Sequence, residues 1–540
     1  MMKSTKSIHY QIFAAIATLP FFVLLYRYIN ADLYYDEVYS LIHYIFVPLK
    51  NTVVFFKDIN NHFLSNLINN LYLKLIGEES LHTLMDHPWF IRIVQLGYTI
   101  ITLTIFYHLC RKHFNRDIAL FSIILLTTST PFYNYALQVR GYNLSITLLC
   151  FVLLFLWNFE RDFRRKDGIL LAVSCALLIY SLLSNLYTLL GIMIFYFFEG
   201  VIKYIFKFGN NKKKDATRKK IERDDPQLTF SQKNRELLIL CILGCGLLLS
   251  IILYGPLIKG LVVDPNIAGN NKSFNMPIIV EIMPSIFHAF LSWRYVVGLL
   301  SIIGFFFCFV KTKKYEKEFI RKALFCALVI VTPLITSFVR GDSPWERFFL
   351  NPIPAFCLLL SIGLYFFFKN MIKKSNFIVI AVFLFLYSNI TFYCGVRHIS
   401  NRLLHDITNG ETSVTLLYNY WQAHYSPLKL LRFFTSNYQL PKYKGACTLL
   451  IVEKCDRAAT PAYLNKFKYA ELDSTVFRWS FATEEKWETF TSVLDTMFVL
   501  TAYPYKFEGW FKGNYPDFNI ARQNEHLQYQ NIFLITRIMK

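Results

Sequence analysis

Seven residues of this chain have the types and spacing to act together. Asp36 and Glu37 lie in Asn30-Ala-Asp-Leu-Tyr-Tyr-Asp-Glu-Val-Tyr-Ser40, and Asn60 and His62 lie in Asp58-Ile-Asn-Asn-His62. Arg140 and Tyr142 close the run Tyr133-Asn-Tyr-Ala-Leu-Gln-Val-Arg-Gly-Tyr142, and Arg347 opens Arg347-Phe-Phe-Leu-Asn-Pro-Ile-Pro354. A positioned carboxylate takes the proton of an attacking hydroxyl. A guanidinium grips a phosphate through two parallel hydrogen bonds. Neighbouring Asp36 and Glu37 differ in direction by about 100° on a helix or 180° on a strand, so they cannot serve one atom together. Both are candidate catalytic carboxylates, with Asp36 expected as the base and Glu37 expected to orient another group or help hold a cation. Asp36, Glu37 and His62 would also suit a divalent ion, although mixed carboxylate and imidazole ligands fit several metals. Each residue also has an ordinary reading: solvated loop acids, a hydrogen-bonded structural histidine, and arginines that snorkel at a membrane edge.

The elements that must position these residues follow from composition. Of 540 residues, 54% are apolar and only 17% charged, against about 25% charged in an average soluble domain. A chain this long and this poor in charge cannot cover globular domains with polar surface, and the figures also exclude disordered and disulfide-stapled classes. The net charge of +21 does not imply nucleic acid, because the basic residues form short clusters between apolar runs. Runs of about twenty residues, the length that crosses a hydrocarbon core of about 30 Å, give eleven expected spans. They lie at about 11–29, 88–109, 117–135, 143–159, 168–184, 186–206, 237–257, 293–310, 322–339, 347–368 and 376–394. The first reads as a retained anchor.

Placing the N-terminus inside puts 29 Lys and Arg in six inner segments, against 11 in the rest of the chain up to residue 395. That asymmetry predicts an exported C-terminus. Residues 1–395 therefore read as an all-α polytopic membrane domain and 396–540 as a small extracytoplasmic α/β domain. In the latter, Thr448–Val452, Met497–Thr501 and Ile532–Thr536 are β-prone, and Pro427–Thr435 and Glu484–Leu494 are helix-prone. Nine of the eleven cysteines fall in or beside spans. Cys447 and Cys455, if on one strand, would be about 26 Å apart, too far for a disulfide.

The first outer loop, 30–87, is unusually long. Val38, Leu41, Ile42, Ile45, Phe46 and Leu49 recur at helical spacing, as do Leu64, Leu67, Ile68, Leu71 and Leu75 opposite Ser65, Asn66, Asn69 and Asn70. Both segments predict helices lying in the membrane interface, where they would hold the loop carboxylates, including Asp32 and Asp58, beside the outer surface. Glu281 and His288 in a later outer loop could line an entrance, with a solvated face as the default reading. Arg340-Gly-Asp342 is read as coincidence, and the basic segment 203–235 as a topology determinant.

With these motifs in hand, the chain resembles the superfamily of protein O-mannosyltransferases and lipid A aminoarabinose transferases, integral-membrane glycosyltransferases of the GT-C class. It is most similar to the bacterial branch with the RgtA/B/C/D-like domain, through Asp36-Glu37, Asn60-Asn61-His62, Arg140-Gly-Tyr142 and Arg347-Phe348…Pro352-Ile-Pro354. The likeness covers about 1–395 and is strongest over the first 160 residues. One departure is Asn60-x-His62-Phe-Leu where the mannosyltransferase pattern has Asp-x-His-Pro-Pro, which leaves the acceptor open. The resemblance implies a polyprenyl-phosphate sugar donor and transfer to a hydroxyl on a lipid, glycan or protein acceptor at the outer face of a bacterial cytoplasmic membrane, in cell-envelope glycan or lipid modification; with one base, an inverting displacement is expected. In that reading Arg140 and Arg347 bind the donor phosphate, and Asn60, His62 and Tyr142 support them. No cofactor is assigned, and the divalent cation considered above is the one candidate.

Two other classes compete. A lipid-linked sugar flippase or other transporter would carry ionisable groups near mid-membrane and related halves. The span centres here are almost free of charge, and acids concentrate in the outer loop. An O-antigen polymerase or ligase would carry its large outer loop late, whereas this chain carries it first.

Overall fold

Backbone N–H and C=O groups in hydrocarbon must be paired within the chain, so the long apolar runs close as helices. The computed structural model describes residues 2–31, 33, 35–54, 61–78, 80–214, 234–258, 276–292, 294–310, 314–340, 349, 351–371, 377–409, 447–452, 477–482, 487–488, 496–501, 504–522 and 531–538. Before the first long crossing pair is complete come α1 (Met2–Tyr28), α2 (Tyr35–Ser40), α3 (Leu49–Val54), α4 (Phe63–Ile76) and α5 (Leu81–Asp86). Then follow α6 (Trp89–His113), α7 (Arg116–Thr127), α8 (Thr130–Tyr135), α9 (Gly141–Asp162), α10 (Arg165–Ser181), α11 (Asn185–Lys214) and α12 (Arg235–Tyr254). The bundle continues with α13 (Met276–Leu291), α14 (Tyr295–Val310), α15 (Lys314–Arg340), α16 (Ile353–Met371) and α17 (Phe377–Asn409).

Among the described residues, eight helices are long and apolar enough to cross a membrane: α1, α6, α9, α11, α12, α15, α16 and α17. The other three of the eleven expected runs form shorter helices, for local reasons. The run 117–135 is broken into α7 and α8 at Thr128–Ser129. Thr127 and Thr128 donate their hydroxyls back to Ile123 O (2.9 Å) and Ile124 O (2.7 Å), and Pro131 sits in the first turn of α8, where its missing N–H is harmless. The other two, α10 with 17 residues and α14 with 16, are about 26 and 24 Å long at 1.5 Å per residue.

α9 is the central post, buried along nearly all of its length. α14 and α16 cross at Gly304 and Gly363. A Cβ on Gly304 would lie 1.9 Å from the Gly363 carbonyl oxygen, so only glycine lets these backbones meet. At the Asp162 end of α9, Glu160, Glu199, Glu236, Arg235, Arg321 and Lys203 form a network of ion pairs across α9, α11, α12 and α15. Arg140 stands at the other end of α9, about 33 Å away along the axis at helical rise.

The first loop departs from expectation in one of its two amphipathic segments. Its first amphipathic segment is not one helix: α2 runs into a single π-helical stretch, Leu41–Ile45, and the chain breaks through Phe46–Pro48 before α3. Pro48 cannot continue the ladder. The second segment forms α4, with its Ser/Asn face turned into the protein. Ser65, Asn66 and Asn69 are 0% exposed and Asn70 is 1% exposed, while Leu71 and Leu75 are 47% and 85% exposed. Asn70 Nδ2 lies 2.7 Å from Ile45 O, 2.9 Å from Val47 O and 2.8 Å from Thr52 Oγ1, so the polar face of α4 clamps the break between α2 and α3. An outward apolar face suits a helix whose surroundings are lipid, because there the polar side is the one that needs protein partners.

Beyond the bundle, β1 (Cys447–Val452), β2 (Phe477–Ala482), β3 (Thr496–Thr501), β4 (Phe518–Arg522) and β5 (Asn531–Arg537) form one sheet in the order β2-β1-β3-β5-β4. β1 pairs in parallel with β2 and β3, and β5 is antiparallel to β3 and β4. All three expected strands are present. β2, β4 and the helix α18 (Pro504–Asn514), which packs Phe507 and Phe511 on Phe533 and Ile535, were not anticipated. α17 runs to Asn409, past the expected boundary at 395. Pro427–Thr435 and Cys455 lie outside the described residues, as does all of Glu484–Leu494 except 487–488.

Candidate active site

Three chain segments converge at the Gly141 end of α9. α2 brings Asp36 and Glu37 in its first turn, His62 caps the N-terminus of α4, and Arg140 caps the N-terminus of α9 with extended backbone. All four side chains are buried.

Arg140 links the other two segments. Its Nη1 makes an ion pair with Asp36 Oδ2, while Nε and Nη2 lie 3.0 and 2.8 Å from His62 Nε2. A guanidinium can only donate, so His62 Nε2 is the acceptor and the ring is neutral with its proton on Nδ1. Tyr142 packs under the pair, with its ring 5.0 Å from that of His62 and 5.4 Å from the Arg140 guanidinium carbon. Tyr135 at the end of α8 stacks on Tyr142 at 4.7 Å. Gly141 allows this closeness: a Cβ there would meet Ser181 O at 2.8 Å and His62 Nδ1 at 3.0 Å.

Glu37 points elsewhere. Its Oε2 pairs with Arg92 Nη2 at 2.9 Å, and Oε1 accepts the backbone N–H of Val139 at 3.0 Å. Arg92 Nη1 also reaches the carbonyls of Tyr28 (3.2 Å), Ile29 (3.1 Å) and Ala31 beyond the last turn of α1. Glu37 thus ties α1, α2 and α6 to the residue immediately before Arg140.

Two further polar contacts hold the same turn. Asn143 Nδ2 is 2.7 Å from Gln95 O, 3.0 Å from Thr99 Oγ1 and 3.1 Å from Ala136 O, which joins α9 to α6 and to the residue after α8. Buried Arg294 donates to Leu125 O and Thr128 Oγ1, both at 2.7 Å, and Ser292 Oγ accepts the Thr130 N–H at 2.9 Å. The turn between α13 and α14 therefore caps both sides of the α7–α8 break, with Ser292 at a φ of 48°.

Of the sequence-derived residues, the structure brings together Asp36, Arg140, His62 and Tyr142, and sets Glu37 beside them on a different partner. Asn60, Asp32, Asp58, Arg347 and Asp342 lie outside the described residues. Four positions after Arg347, Asn351 donates to Asn185 Oδ1 at 3.1 Å, and Asn185 in turn reaches Ser145 Oγ at 2.9 Å on α9. His288 bonds to the Tyr295 hydroxyl on the α13–α14 hairpin. Asp36, Glu37 and His62 do not fit a three-ligand metal set, because the Glu37 oxygens and His62 Nε2 are already engaged by Arg92, Val139 and Arg140. Among the described residues no group of three or more His, Cys, Asp and Glu could hold a metal ion. Arg92 and Arg294 were missed, although each is a lone charge in an apolar run, the signal that marks a buried, partnered ion in a membrane chain.

Comparison with known proteins adds one match in sequence and a likeness in structure. Residues 79–208 match the family model of dolichyl-phosphate-mannose-protein mannosyltransferase. No curated protein matches the chain. Among solved structures, ArnT from Cupriavidus metallidurans in the apo state aligns with 11% identity over 98% of both chains and a TM-score of 0.49. The same protein bound to undecaprenyl phosphate aligns with 12% identity over 97% of both, at 0.47. The matched segment contains Arg92, Arg140 and Tyr142, so the resemblance first drawn from the motifs is borne out over α6 to α11: there the chain is similar to GT-C membrane glycosyltransferases.

Proposed function

We propose that this chain is a membrane glycosyltransferase that moves a sugar from a polyprenyl-phosphate donor to an acceptor hydroxyl at the outer face of a bacterial cytoplasmic membrane. The observation that carries the reading is the buried triad of a carboxylate, a guanidinium and a neutral imidazole where three segments meet. It combines a proton acceptor with a phosphate ligand inside a membrane helix bundle. The match over residues 79–208 supports the same class.

In this reading Arg140 has two successive partners. Without donor it neutralises Asp36, and a carboxylate held against a guanidinium is a poor proton acceptor. The leaving group changes from a phosphodiester of about one negative charge to a phosphomonoester approaching two, so a cation aimed at it binds the transition state more tightly than the ground state. As the guanidinium turns to the phosphate, Asp36 is released to take the acceptor proton while that oxygen attacks the anomeric carbon and the phosphate departs. One base and one displacement give inversion. His62, already an acceptor, holds Arg140 during the exchange. Glu37 is a positioning residue. Arg347 is assigned to the same phosphate on the motif alone.

The test is transfer of labelled sugar from a membrane lipid pool to any acceptor, with Asp36→Asn matched to wild type for expression and insertion. Asp36→Asn should lose transfer by 10²-fold or more, on the scale of a general base, and still bind undecaprenyl phosphate. Equal transfer by both proteins would remove Asp36 from the role. Sugar lipid crossing the membrane without transfer would replace the reading with a flippase.

A further inference from the structure

On the segments that hold the triad, two primary amides are buried with no partner for either end among the described residues. Gln95 and Gln138 are 0% and 1% exposed, and the side-chain N and O of both make no hydrogen bond to any of the described residues. Asn143 Oδ1 is in the same condition. These three lie at one place in the fold. Gln95 is one helical turn from Arg92 on α6, and Gln138 adjoins Val139, whose N–H is held by Glu37. Asn143 Nδ2 bonds both the Gln95 carbonyl and the Ala136 carbonyl, two residues before Gln138. An amide sealed away without partners destabilises the fold, and an apolar side chain of similar size would remove that cost. Other buried amides keep a partner on at least one end: Asn185 Nδ2 lies 2.9 Å from Ser145 Oγ, and Asn158 Oδ1 lies 3.0 Å from His113 Nε2.

We propose that Gln138 and Gln95 are the hydroxyl-recognising part of the site, taking the sugar ring of the donor. The proposal rests on the transferase reading above. A side-chain amide offers a donor and an acceptor side by side, which matches two neighbouring sugar hydroxyls, each of which can donate and accept. Carried by the segments that hold Arg140 in place, such amides would meet the sugar when the phosphate meets the guanidinium. A neutral polyol needs this kind of partner, since it presents no charge. The donor therefore supplies the hydrogen bonds that the chain does not give these amides, and stability is given up in the free protein in return for binding. A site built to hydrogen-bond hydroxyls also discriminates strongly against sugars that lack them, because the amides are then left unpaired.

Gln138→Leu and Gln95→Leu separate this role from packing. Three quantities are measured on each full-length protein in nanodiscs: thermal midpoint, affinity for undecaprenyl phosphate, which carries no sugar, and transfer from the native membrane lipid pool. The expected result is an unchanged or raised midpoint, undecaprenyl phosphate affinity within about twofold of wild type, and transfer reduced at least tenfold. Gln138→Glu and Gln95→Glu, which keep the shape but replace the two-hydrogen amide donor with a carboxyl oxygen, should also reduce transfer. Unchanged transfer in both Leu variants would overturn the proposal. Loss of undecaprenyl phosphate affinity in step with transfer would also overturn it, by assigning the amides to site architecture. A lowered midpoint with a matching loss of transfer would do the same. Failure of the transferase reading looks different: wild type itself would transfer nothing.

Discussion

Breaking the Glu37–Arg92 pair should uncouple the site from the bundle, and the structure sets the size of the effect. Both side chains are at most 1% exposed and 2.9 Å apart. Removing one partner of a buried pair costs about 3–5 kcal/mol, because the remaining charge stays buried. In Glu37→Gln an oxygen can still accept the Val139 N–H, and Arg92 keeps the carbonyls of Tyr28, Ile29 and Ala31, so the low end, about 3 kcal/mol, is expected. Arg92→Met abandons those carbonyls as well as Glu37 and should reach about 5 kcal/mol. The double variant should cost about 2–3 kcal/mol less than the two single losses added together, because it leaves no uncompensated ion. Equilibrium unfolding in mixed micelles measures all three. Transfer against pH then distinguishes positioning from proton transfer: Glu37→Gln should lower the height of the profile and keep its shape, since Asp36 is untouched. Additivity within about 0.5 kcal/mol, or loss of the acid limb of the profile in Glu37→Gln, would refute the reasoning.

Two further substitutions probe the supports of the triad. Gly141→Ala places a methyl 2.8 Å from Ser181 O and 3.0 Å from His62 Nδ1. It should destabilise by about 1–3 kcal/mol and weaken undecaprenyl phosphate binding, whereas Gly97→Ala, which meets nothing within 4 Å, should change neither. Arg294→Met leaves the carbonyl of Leu125 and the hydroxyl of Thr128 without their buried donor. It should cost about 2–4 kcal/mol and raise hydrogen exchange over 129–142 more than in the sheet, as read by mass spectrometry.

The membrane class, the helical bundle and the separate strand-bearing C-terminal segment were legible from the sequence, because hydrocarbon and strand burial both impose simple periods on apolar residues. So were Asp36, His62, Arg140 and Tyr142, since a few polar residues stand out against so apolar a background. The helix breaks were less legible. Thr128–Ser129 lies inside a run that satisfies any hydropathy count, and the break depends on Arg294 and Ser292 reaching across from 160 residues away. The direction of α4 was invisible for a related reason. An amphipathic stripe specifies two faces, but which face turns inward depends on whether the surroundings are water or lipid and on what lies opposite. Asn70 turns in because Ile45, Val47 and Thr52 offer it oxygens. The partition of two adjacent carboxylates is the clearest case. Sequence alone determined that Asp36 and Glu37 must diverge, since successive side chains on any regular backbone point apart. Only the tertiary structure decided that Asp36 meets Arg140 and His62 while Glu37 meets Arg92 and Val139, because ion pairing is settled by which charges from distant segments arrive within about 3 Å.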